Sequence, residues 1–162
     1  RDANGEHGVW FFSLDAARLG AVVVARSVYR LPYFWAQMSL ERYGDRLRYT
    51  TRRRWPGPRG AASSIVVDAG PRLAAHEVTD LDHFLTARWA LYSTPRTGLR
   101  RAQASHDPWP LHRASVAEVD DGLLAAAGLP QPRDTPMAHF SESVKVRIGW
   151  PRPVLAPRPG RP

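Results

Sequence analysis

Cysteine is absent from this 162-residue chain. That one absence removes disulfides, thiolate metal sites and cysteine nucleophiles. It also fits a reducing, cytoplasmic setting. Lysine is almost absent: of 23 basic residues, all but Lys145 are arginine. Schiff-base chemistry needs a desolvated lysine. Lys145 alternates with Val144, Val146 and Ile148, so a core-facing valine side turns it outward. Long apolar runs are missing too. The longest, Leu19 to Ala25, falls far short of the ~20 residues a membrane span needs. The opening Arg1-Asp2-Ala3-Asn4-Gly5 is polar and unlike a signal peptide.

Signature motifs are also lacking. There is no G-x-S-x-G elbow, P-loop or GxGxxG, so neither serine-hydrolase nor nucleotide chemistry has local support. The six histidines include no HxxxH pair and no HExxH. A zinc site would need distant ligands, and the sequence implies no metal and no cofactor.

What is present is an ordinary globular composition, with 43% hydrophobic and 23% charged residues. The length suits one domain, placed at residues 1–150. Residues 151–162, rich in Pro and Arg, read as a disordered tail. The formal charge of +8 invites a nucleic-acid reading. The charge is clustered, however, in Arg52-Arg53-Arg54 and in Arg152, Arg158 and Arg161 of the tail. Without those two clusters the chain is close to neutral, and nucleic acid is not the expected main partner.

The pattern predicts many short strands and about three short helices. Val9 to Phe12 is a strand. Ser13 or Asp15 caps a helix running to about Tyr29, which the Leu31-Pro32 step ends. Tyr33 to Tyr43 and Arg46 to Arg54 form a hairpin about Gly44-Asp45. Ala62 to Asp68 is a strand ending at the Ala69-Gly70-Pro71 turn. Asp80 caps a helix over Leu81 to Arg88. Leu91-Tyr92 and Leu99 to Ser105 form a second hairpin. Val119 to Ala127 is a short helix, and Met137 to Trp150 is the clearest strand. The fold class is α+β, with a curved, barrel-like, mostly antiparallel sheet.

Four polar residues stand out. His106, in His106-Asp107-Pro108-Trp109-Pro110-Leu111, is either a general base or ligand contact, or a satisfied structural histidine. Arg88, beside an apolar helical stripe, either forms a salt bridge or grips a carboxylate. Arg53 is a solvated edge charge or faces an anion. Tyr33 opens an aromatic strand. Glu142 and Asp15 are lone carboxylates, with capping the better role for Asp15.

Several segments together resemble one family. They are Gly8-Val9-Trp10-Phe11-Phe12-Ser13-Leu14-Asp15-Ala16, Leu31-Pro32-Tyr33-Phe34-Trp35-Ala36-Gln37-Met38, Phe84-Leu85-Thr86-Ala87-Arg88, His106 to Leu111, and His139-Phe140. The combination resembles the YqjF-like proteins, domain of unknown function 2071, over roughly Gly8 to Val154. The resemblance implies an acetoacetate-decarboxylase-like fold, a curved barrel around a pocket. The pocket lysine of that decarboxylase has no counterpart here, so its chemistry does not transfer. The resemblance also implies strands before Gly8, so the chain is expected to lack the opening part of its domain.

The leading expectation is thus an uncharacterised small-molecule-binding domain with an apolar pocket, bearing Tyr33, Arg53, Arg88 and His106 as polar groups. Action on a carbonyl or carboxylate compound rests on fold analogy alone, and the sequence leaves catalysis open. The alternatives are binding of nucleic acid or an acidic partner through the arginine-rich surface, and a non-catalytic regulatory or interaction domain.

Overall fold

The structure, a computed structural model, describes residues 7–57 and 59–154. A six-stranded sheet dominates it. β2 (Leu14–Ala16), β3 (Tyr33–Tyr43), β4 (Arg46–Trp55), β5 (Ala62–Arg72), β8 (His112–Asp121) and β9 (Ala138–Phe140) lie side by side in that order. The second sheet runs β1 (Val9–Trp10), β6 (Ala90–Ser93), β7 (Arg100–Ser105) and β10 (Arg147–Ile148), with β11 (Arg152–Pro153) also on β7. Two pairings are parallel, β1 with β6 and β2 with β3. The others are antiparallel, and one sheet curls into a half-barrel. Three helices accompany them: α1 (Leu19–Ser27), α2 (Asp80–Thr86) and α3 (Leu123–Ala126). The α+β class with a curved sheet is what the strand pattern predicts. None of the described helices is long and apolar enough to cross a membrane.

The β3–β4 hairpin explains itself locally. Gly44 turns with φ 63°, a backbone that lacks a steric penalty only for glycine. On β4, period-two alternation puts Leu47, Tyr49, Thr51 and Arg53 on one face. Leu47 and Arg53 are buried there, while Arg46, Arg52 and Arg54 stay exposed. A bulge shifts the register between Trp35 and Ala36, so Trp35 faces Trp55 and Ala36 faces Arg53. The small apolar core of the second sheet joins Leu31, Leu91 and Ala102, packed by Val9, Phe11, Tyr29 and Tyr33.

Several local expectations change. Asp15 caps no helix. It lies in β2, and α1 starts after Arg18 with no side-chain cap. Its carboxylate serves a buried guanidinium instead, a stronger demand than an exposed helix N–H. β5 runs through the expected Gly70-Pro71 turn, because a bulge between Ala69 and Arg72 tolerates the missing proline N–H. The helix expected from Val119 begins later. Pairing with β5 extends β8 to Asp121, and α3 keeps only Leu123–Ala126. Thr79, rather than Asp80, caps α2. Met137 to Trp150 holds two short strands in place of one long one. No strand partners its middle, so alternation alone cannot hold it extended. Lys145 is exposed, as expected. Arg152–Pro153, within the stretch expected as a tail, pair with Arg101 and Arg100. Residues 155–162, including Arg158 and Arg161, lie outside the described residues.

Candidate functional site

The site is built by alternation on three neighbouring strands. Ser13 and Asp15 are two residues apart, so they point the same way; so do Thr51 and Arg53. Between them runs β3, whose Phe34 is in register with Asp15 and whose Ala36 is in register with Arg53. Ala36 is buried and small, so the flanking side chains can meet across its strand.

They do meet. Arg53 Nε donates to Asp15 Oδ1 at 2.8 Å. Arg53 Nη2 donates to Ser13 Oγ at 2.8 Å, and Thr51 Oγ1 donates to Asp15 Oδ2 at 2.9 Å. The Arg53 guanidinium carbon sits 3.9 Å from the centroid of the Phe34 ring, a cation–π contact. The Arg53 and Asp15 side chains retain only 1% and 6% of their exposure. Such a pair is held by its hydrogen bonds, since desolvation of both charges opposes it. One group is left over: Arg53 Nη1 is buried and has no hydrogen-bond partner. Ser63 Oγ, on the residue in register with Thr51, is buried and unpartnered as well.

Two adjoining clefts flank this cluster. The larger, about 950 Å³, is walled by Trp10, Phe11, Phe12, Phe34, Trp55 and Tyr92, with Arg26 of α1 and Arg30 just beyond it. The second, about 810 Å³, has Arg53, Arg52, Arg54 and Arg59 with Trp35 and Leu19. Val23 and Trp55 belong to both. Arg26 anchors the shared wall. Its Nη1 donates to the Tyr33 carbonyl at 2.7 Å, and its guanidinium lies 5.6 Å from the Trp55 ring and 5.9 Å from that of Phe34.

The four residues singled out from sequence do not converge. Arg53 lines the second cleft. Tyr33 packs in the core of the other sheet, where burial raises its phenol above the ordinary tyrosine value. Arg88 caps its own helix stripe, 3.9 Å over the Phe84 ring. His106 lies in a separate cleft of about 550 Å³. Its Nδ1 is 2.8 Å from the Asp107 carbonyl, and its ring lies tilted 4.5 Å from Trp89 and edge-on 6.3 Å from Trp109. Thr51, Phe34 and Arg26 carry no site reading in the sequence, and Ser13 and Asp15 stand there chiefly as helix caps. The Ser13/Asp15 and Thr51/Arg53 spacings carried the signal, but only strand order reveals that the two pairs face each other. Among the described residues no cluster of His, Asp or Glu could hold a metal ion.

Comparison with known proteins agrees with the sequence resemblance. Residues 1–145 match the family described as an uncharacterized conserved protein, domain of unknown function 2071. The chain is 33% identical over 147 residues to the uncharacterized protein YqjF of Bacillus subtilis (strain 168). That alignment covers 91% of this chain and 60% of the relative, so the chain spans less than two thirds of that protein's length. No solved structure matches significantly. With nearly its whole length matched, this chain belongs to the YqjF-like family, domain of unknown function 2071.

Proposed function

We propose that residues 1–150 form one small-molecule-binding domain whose ligand lies across the two adjoining clefts, its body on the aromatic wall of the larger and an oxygen toward Arg53 in the second. The buried, unpartnered Arg53 Nη1 carries this reading. A buried donor without an acceptor costs about 1–3 kcal/mol, and a ligand oxygen would remove that cost. The wall of the larger cleft is mostly apolar, rich in aromatic rings and interrupted by a few polar groups, as ligand clefts usually are. The oxygen fits a carbonyl or carboxylate, and the same donor would polarise a bound carbonyl. Cysteine's absence supports a cytoplasmic setting. The acetoacetate-decarboxylase-like superfamily is a proposal of the same rank. It draws on the curled sheet, and the exposed Lys145 gives no support to Schiff-base chemistry.

Binding of nucleic acid through Arg52-Arg53-Arg54 is weakened, because Arg53 is withdrawn into the ion pair. Tryptophan emission tests the main reading, since Trp10 and Trp55 wall the cleft. Titration with small aromatic carbonyl and carboxylate compounds should give a saturable change that Trp55→Leu diminishes. No saturable change with any of them would reject the reading.

A further inference from the structure

The aromatic cleft is cationic as well as apolar, and its charge has no counterpart in the wall. We propose that its ligand is an organic anion, a carboxylate on an aromatic body, whose charge is read by Arg26 and Arg30. This rests on the cleft being a binding site and adds the ligand's charge and its readers.

Three observations carry it. First, no described Asp or Glu lines the larger cleft, although Arg26 and Arg30 both do. Second, the nearest buried carboxylate, Asp15, is already committed to Arg53, Thr51 and the same hydrogen-bonded cluster. Arg53 is therefore neutralised as a charge, while among the described residues Arg26 has only the neutral Tyr33 carbonyl and two ring faces. Arg26 is half-buried, which strengthens its attraction for an anion relative to a fully solvated arginine. Third, Arg30 occupies the left-handed backbone region, with φ 56°. It is the one described residue other than glycine to do so. Glycine would sit there with less strain, yet an arginine is placed there, at the cleft wall. Strain retained at a site is a pointer to use of the side chain.

The ring faces suit the rest of the ligand. Trp10, Phe12 and Trp55 are each more than a third exposed, and a flat aromatic body would cover them. Two guanidinium forks beside them would take the two carboxylate oxygens by charge-assisted hydrogen bonds.

The test compares 2-naphthoate with the uncharged 2-naphthylmethanol by calorimetry on the full chain. The anion should bind at least about tenfold tighter, and its affinity should fall as salt rises. Arg30→Gly should lose about fivefold or more of that preference, while the unfolding midpoint holds or rises because the strain is released. Arg26→Gln should lose it as well, and Arg30→Gly keeps the test valid if Arg26→Gln does not fold. Equal affinity for both probes would overturn the anion proposal and leave the cleft reading standing. Binding of neither probe would overturn both. An Arg30→Gly chain that keeps the full preference would also overturn the assignment to Arg30.

Discussion

Arg53 and Asp15 meet across an intervening strand, with Nε and Oδ1 2.8 Å apart above Ala36 and beside Phe34. The pair ties β2 to β4 over β3, so it fastens the edge of the half-barrel, and its Arg53 also lines the second cleft. Removing one partner strands the other charge in a dry site. Asp15→Ala should therefore cost about 3–5 kcal/mol in chemical denaturation, and Ser13→Ala about 1 kcal/mol. Replacing the pair together, Asp15→Leu with Arg53→Met, should cost less than Asp15→Ala alone. A double variant worse than the single would mean that the pair itself stabilises the fold.

The slot over Ala36 is a second consequence. Ala36 is almost fully buried beneath the paired side chains, so Ala36→Leu should overpack it and cost about 1–3 kcal/mol. Unchanged stability would place the ion pair elsewhere than across this residue.

How much of this was legible in the sequence follows from where each feature gets its energy. The β3–β4 hairpin was legible, because alternation and Gly44 act within a few residues. The end of β8 reads locally as a helix, since its extended form depends on pairing with β5, distant in sequence. The long strand expected from Met137 to Trp150 failed for the reverse reason: alternation without a partner does not hold a strand. In the site, the sequence points to Arg53, while local spacing favours a capping role for Asp15. A carboxylate's partner 38 residues away is set by strand order, which no local spacing encodes. Tyr33 and Phe34 show the limit most directly. They are adjacent, and the pleat sends one to the core of the second sheet and the other under Arg53.

Acid should weaken the fold through Asp82. The Thr79 hydroxyl and backbone N–H both donate to its carboxylate, which lowers it below the usual carboxylate range. A carboxyl lowered by folding stabilises the native state above its unfolded value, and that contribution drains as pH falls through the folded value. Arg46 at Asp68, and Ala74 with Arg113 at Glu77, act in the same direction. Stability measured from pH 7 downward should fall through the carboxylate range, and Asp82→Asn should start lower and fall less. An acid limb as steep in Asp82→Asn as in the parent chain would contradict this assignment.

Gly8 should not tolerate a side chain. A Cβ built there would lie 2.4 Å from the Tyr92 ring and 2.7 Å from the Ala90 carbonyl, which are parts of the strand that β1 pairs with. Gly8→Ala should cost about 1–3 kcal/mol. A neutral result would mean that β1 can slide on β6.

The central claim is that the cleft beside Arg53 is a ligand site, and native mass spectrometry of the purified chain tests it most directly. The account expects a native mass above the denatured mass, or one that rises stoichiometrically on adding 2-naphthoate, with the excess reduced in the folded Trp55→Leu chain. A native mass equal to the denatured mass, unchanged by saturating 2-naphthoate in a folded chain, would contradict it.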